Sequence, residues 1–136
     1  MRSKKTKDQA GAVAVEFALV LPIFLVLVLG IFEFGRAFNI QISLSEAARE
    51  AARYAAIHQA EAGYSVSAAQ AAGVAAAPSV SLKPGDITVV SSGSTPCNVT
   101  VTVSYSTTWM TGFPGLVPGI PSQLKTSGKG VMRCGG

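Results

Sequence analysis

The chain has 136 residues, 49% of them hydrophobic and 13% charged, with a formal net charge of +4, which leaves room for one modest domain beside its apolar segment. Removing residues 1–11 takes away four basic residues and one acidic residue and leaves seven against six. The basic balance belongs to the N-terminal tail, and a nucleic-acid partner is excluded on that reading.

From residue 12 to residue 32 the chain is apolar except for Glu16. At about 1.5 Å per residue this stretch forms a helix of about 30 Å, enough to cross a hydrocarbon core. Arg2, Lys4, Lys5 and Lys7 crowd one flank, while Glu33 and Arg36 stand on the other. The positive-inside rule places the N-terminus in the cytoplasm and everything after residue 32 outside. A secretory signal peptide is the competing reading, because a basic region before an apolar one also fits it. Against it, no small-x-small cleavage site follows Leu29, and a glutamate at the mouth of the apolar run weakens insertion. Inside a bilayer that carboxylate costs on the order of 2–3 kcal/mol at the centre and less near an edge.

Helical character continues beyond the span. Residues 43–57 are strong helix formers without a breaker, and Ala47, Ala48, Ala51, Ala52, Ala55 and Ala56 line up as a small-residue stripe. Glu46/Arg49 and Glu50/Arg53 are opposite charges three residues apart. These features predict one long helix from about residue 12 to about residue 60, kinked at Pro22 and with weak points at Gly35 and residues 39–43. The organisation is a span over residues 12–32, an extracytoplasmic helix over 33–62 ended by Gly63, and a small β-rich domain over 63–136.

Within that domain a short helix is expected over residues 67–77, stopped by Pro78. The period then changes to two. Lys83, Pro84, Gly85 and Asp86 turn the chain into a strand around Ile87 and Val89. Val99, Val101, Val103 and Tyr105 alternate with Thr100, Thr102, Ser104 and Ser106 in a second strand, and a third covers about residues 125–133. The fold class is α+β: a long helix packed on a small antiparallel sheet, whose apolar face the alanine stripe can cover at close range. Cys97 and Cys134 sit at the outer ends of the last two strands. A pairing in which residue numbers sum to 231 sets Val99 against Met132 and Val101 against Gly130, and brings the cysteines together. Outside the cytoplasm they would then bond, for about 3–4 kcal/mol in the chain-entropy model; two buried free thiols are the alternative.

The connection between those strands carries Trp109, Met110, Phe113, Leu116, Val117 and Ile120 among three prolines, more bulk than a solvated hairpin tip needs. Either these side chains complete the core, or they touch a neighbouring subunit. On the second reading Phe113 and Leu116 form the partner contact while Trp109 anchors the base. Enzyme signatures are missing, so no catalytic activity and no cofactor are expected. His58, the single histidine, reads as a surface residue of the helix. Two isolated cysteines make no metal site, and the glycine-rich stretches lack the lysine and the helix of a phosphate loop.

A short basic leader, Gly11, four small or aliphatic residues, then Glu16-Phe17 and an apolar helix form a pattern that resembles type IV prepilins. The longer stretch GAVAVEFALVLPIFLVLVLGIFEFGRAF resembles the N-terminal motif of TadE-like proteins, the minor pseudopilins of tight-adherence (Tad/Flp, type IVb) pilus systems. The following AAREAARYA and the β-rich end with Met-Arg-Cys-Gly-Gly are similar to that family as well. The resemblance implies that residues 1–11 are a leader, removed by a prepilin peptidase between Gly11 and Ala12. It implies that Glu16 and Phe17 serve assembly and recognition, the Glu16 carboxylate neutralising the new amino group of Ala12. Its implied partners are other Tad pilins and pseudopilins, the inner-membrane assembly platform and membrane lipid. The implied location is the bacterial inner membrane or a surface pilus, and the implied outcome is adhesion and biofilm formation. An uncleaved, single-span binding protein with an extracytoplasmic β domain is the other function class. The identity of the mature N-terminus separates the two.

Overall fold

In the computed structural model of the protein, the described residues are 4–93, 95–112, 115 and 118–135, with side chains from residue 11 onward. The elements in chain order are α1 (Lys4–His58), α2 (Val66–Ala75), a single 3-10 turn (Pro84–Asp86), β1 (Ile87–Ser92), β2 (Asn98–Thr108) and β3 (Gln123–Arg133). This is the expected α+β architecture. The chain divides into two compact units after Gly35.

The first unit is the N-terminal part of α1, with Pro22 inside it. Its large apolar side chains from Val13 to Phe34, Val28 apart, are all exposed. Such a run of exposed apolar side chains is the surface of a helix solvated by lipid or by neighbouring helices.

The second unit is built on the C-terminal part of α1. Helical backbone runs through Gly35 and residues 39–43, where the sequence suggested weak points, and ends at His58. Gly63 lies beyond that end, in the turn before α2, with a φ of 111°. Ser65 caps α2: its side chain accepts from Ala68 N at 3.3 Å, which starts the helix one residue earlier than the sequence predicts. Lys83–Asp86 makes the expected turn into β1, and the Asp86 carboxylate accepts from Lys83 N at 2.8 Å.

The sheet is antiparallel in the order β1-β2-β3. Val99 faces Met132 and Val101 faces Gly130, the register in which paired numbers sum to 231. Inward residues of β2 — Val99, Val101 and Val103 — meet Leu44 and the six alanines of α1, with Ala69 of α2 and Ile87 of β1 closing the same core. The small residues matter on both sides. A methyl group on Gly128 would stand 2.4 Å from Leu44 O, and one on Gly130 would stand 2.5 Å from Ala48 O, so β3 crosses directly on the helix backbone. Gly73 does the same for α2, where a methyl would come within 3.0 Å of Ala47 O and of the Ala51 methyl.

Cys97 and Cys134 are joined as a disulfide with 5.4 Å between their Cα atoms, and Cys134 N donates to Cys97 O at 3.1 Å. Gly135 N donates to Ala56 O at 3.2 Å, which fastens this end of the sheet to α1. Polar residues of α1 hold the other end. Arg36 donates to Thr108 O at 3.0 Å and to Thr107 Oγ1 at 3.2 Å, while Gln41 donates to Ser127 O and accepts from Thr126 Oγ1.

Candidate functional site

Gly11, Ala12, Glu16 and Phe17 all lie on helical backbone of the first unit, exposed to the surroundings. Ala12 and Glu16 are four residues apart, so they share one helix face a single turn from each other. A methyl group on Gly11 would meet nothing within 4 Å. Its glycine is therefore not required by packing within the chain. An exposed carboxylate on a helix that is apolar on all its faces has one chemical consequence: it needs a cation or water wherever that helix is buried. Glu33, which the charge pattern reads as a flank of the span, is only 9% exposed.

The second unit holds the remaining candidate positions. Trp109 Nε1 donates to Pro121 O at 2.8 Å, so the indole ties the two ends of the long connection together at its base, as the sequence suggests. Met110 and Ile120 are exposed and do not complete the core. Phe113 and Leu116 lie outside the described residues. His58 stacks on Tyr54, with ring centroids 4.2 Å apart, and its Nδ1 donates to Tyr54 O at 2.9 Å. It finishes the last turn of α1, although the sequence assigned it to a solvated surface.

On the outer side of α1, Arg53 grips Glu50 with two bonds, Nε to Oε2 at 3.0 Å and Nη2 to Oε1 at 2.7 Å. The Arg53 hydrogen bond and charge hold the Glu50 carboxyl below its usual range, despite some opposition from burial. The companion residues Glu46 and Arg49 line a groove with Glu50 and with Ala72, Ala75 and Ala76. Burial beside the core pushes the Tyr64 phenol above its ordinary value, with a smaller contribution from Tyr54. Among the described residues, no three His, Cys, Asp or Glu side chains are grouped to hold a metal ion.

The family model described as TadE-like protein matches residues 11–53. That is the family the N-terminal motif resembles, and the match starts at the glycine of the motif and ends within the alanine-rich part of α1. It associates the chain with Tad pilus systems, and the apolar helix at its N-terminus is a candidate membrane span. No curated protein and no solved structure matches the chain significantly.

Proposed function

We propose, from the TadE-like segment at residues 11–53, that the chain is a minor pilin-like subunit of a Tad/Flp type IVb pilus assembly and secretion system. It is not an enzyme. The observation that carries this reading is a carboxylate, Glu16, in an exposed and otherwise apolar stretch of helix, five residues after a glycine that packing does not require.

The mechanism follows from those residues. Basic side chains before Gly11 hold the leader on the cytoplasmic side. Without a side chain, Gly11 lets the backbone leave the helix and enter a prepilin peptidase, which cuts before Ala12. Cleavage removes the basic anchor and creates an ammonium group one turn from Glu16. The two charges neutralise each other, within a subunit or between neighbours, and this offsets the cost of either charge in apolar surroundings. Their meeting also sets the axial register of packed helices. Phe17 and the apolar residues after it supply the surface that lipid and then other pilins and pseudopilins cover. The β domain is carried outside the inner membrane, or onto the surface pilus, where it serves adhesion and biofilm formation.

Co-expression with a Tad-type peptidase, followed by N-terminal sequencing, tests the processing step. The mature chain should start at Ala12, and Gly11→Glu should accumulate at full length in the inner membrane. A mature chain that keeps Met1 would instead favour an uncleaved, membrane-anchored binding protein.

A further inference from the structure

The outward face of the sheet segregates charge in a way that the overall balance hides. On β3, Lys125, Lys129 and Arg133 are exposed and alternate with the buried or half-buried inward residues. They stand four residues apart, which places about 13 Å between successive members along the strand. Strand pairing sets Arg133 beside Asn98, Lys129 beside Thr102 and Lys125 beside Ser106. In the next row Thr102 meets Thr88 and Asn98 meets Ser92. The outward positions of the three strands thus carry hydroxyls, two amides, two valines and three cations, and no carboxylate.

Three of the four acidic residues of the second unit are elsewhere. Glu46 and Glu50 belong to α1 and Glu61 to the turn after it. At the Lys125 end of the face, β1 starts only opposite Val103. Ser104–Ser106 therefore have no β1 neighbour, and a cleft of about 660 Å³ opens there, lined by Lys83, Asp86, Ser104, Ser106, Lys125 and Ser127 among others. Its single carboxylate, Asp86, is engaged by the backbone N–H of Lys83. Among the described residues, no carboxylate pairs with Lys83, Lys125, Lys129 or Arg133.

We infer that this face and its cleft bind an acidic polysaccharide, a polymer of carboxylate-bearing sugars laid along β3. Cations spaced singly along a line suit a polymer that carries its charges one at a time. The serine, threonine and asparagine side chains between them exchange hydrogen bonds with sugar hydroxyls. Val90 and Val131 flank Thr100 across the strands, and at 57% and 55% exposure they offer an aliphatic patch for the C–H face of a sugar ring. No outward strand position carries an aromatic ring, and the one ring that lines the cleft, the inward Tyr105, is half-buried against the core, so the face lacks the row of stacking platforms of a single-strand nucleic-acid binder. Beyond those two valines it has no Trp, Phe or Leu at an outward position, the side chains that seat a surface in a lipid headgroup layer. Every residue involved belongs to the second unit, so the inference stands apart from the role proposed for residues 11–17.

The test is a binding titration of the full chain in zwitterionic nanodiscs. Polygalacturonate should bind with a salt-sensitive affinity, whereas galacturonate monomer and neutral dextran should not, because several weak contacts must act along one chain. The triple variant Lys125→Ser/Lys129→Ser/Arg133→Ser should weaken binding about tenfold or more. The variant Lys125→Arg/Lys129→Arg should retain it, and Lys129→Glu reads the same loss should the triple variant fail to fold. The tail variant Arg2→Ser/Lys4→Ser/Lys5→Ser/Lys7→Ser should bind like the parent chain. Full binding by a folded triple variant, or loss of binding in the tail variant, would overturn the inference. So would tighter binding to phosphatidylglycerol vesicles or to single-stranded DNA with the same dependence on β3.

Discussion

Gly128 and Gly130 decide how closely β3 approaches α1. In both cases the atoms nearest to an added methyl are helix backbone, at 2.4–2.9 Å, and backbone cannot swing aside as a flexible side chain can. Gly130→Ala must therefore lift the strand or displace the helix, and overpacking of this kind costs about 1–3 kcal/mol. Gly85 has nothing within 4 Å of the same added group, so Gly85→Ala should stay within about 0.5 kcal/mol of the parent chain. Urea unfolding in detergent, followed by the fluorescence of Trp109, compares the two, since the chain has one tryptophan. Equal midpoints for the two variants would show that helix and strand are not in backbone contact. The sequence reading sees these glycines only as members of a strand. Glycine in a strand signals a bulge or a close approach without saying which, and the choice depends on the helix atoms opposite.

At the scale of elements, the sequence was most legible where one physical pattern dominated. Strict alternation in β2 fixes its inward face, and two cysteines at matching ends fix its register with β3, so both survive in the structure. The ends of elements were less legible. α1 ends at His58, near the expected end at about residue 60, and its last turn carries the Tyr54–His58 stack and the His58 bond to Tyr54 O, a side-chain detail that no sequence period announces. β2 and β3 run on to Thr108 and Gln123, where Arg36 bonds Thr107 and Thr108, a long-range contact that no local pattern announces. The positions proposed for processing and assembly stand out as a motif, because glycine and glutamate are conspicuous among apolar residues. The cationic face was not, since it appears only when the strands alternate and pair.

The disulfide is the feature of this scale with the clearest expected effect. It joins residues separated by 37 positions and closes the long connection together with both strands. For a loop of that size, the chain-entropy model assigns about 3–4 kcal/mol. The double variant Cys97→Ser/Cys134→Ser should lower the urea midpoint accordingly, and the oxidised parent chain should resist alkylation at both positions. Gly135 N reaches Ala56 O at 3.2 Å and the backbone N–H of residue 134 donates to the carbonyl of residue 97 at 3.1 Å, bonds that use neither sulfur, so this end of the sheet keeps its backbone ties when the disulfide is gone. The variant should consequently fold, at reduced stability. Free thiols at both positions in protein from the cell envelope would remove the bond from the account and oppose an extracytoplasmic domain.

For the whole molecule, the decisive quantity is the cost of the Glu16 carboxylate and what relieves it. A lone carboxylate near the edge of a bilayer costs less than the 2–3 kcal/mol, on the order of magnitude, that it costs at the centre. A partner ammonium recovers part of that cost only when it is held within a few ångströms. Cleavage before Ala12 would supply such a group one helical turn away, and packing against another subunit would supply a second. Glu16→Ala removes the cost together with the attraction, so the variant should enter the membrane at least as readily as the parent. It should still be cut after Gly11, since the junction itself is unchanged, and then assemble poorly with other pilins. Glu16→Asp keeps the charge on a shorter side chain and should fall between the two. Sheared surface pili, probed for the subunit beside a gel of its processed and unprocessed forms, separate cutting from assembly. Normal incorporation of the alanine variant would demote Glu16 to a residue of the membrane interface. Loss of cutting in that variant would move its role from the packed helices to the peptidase.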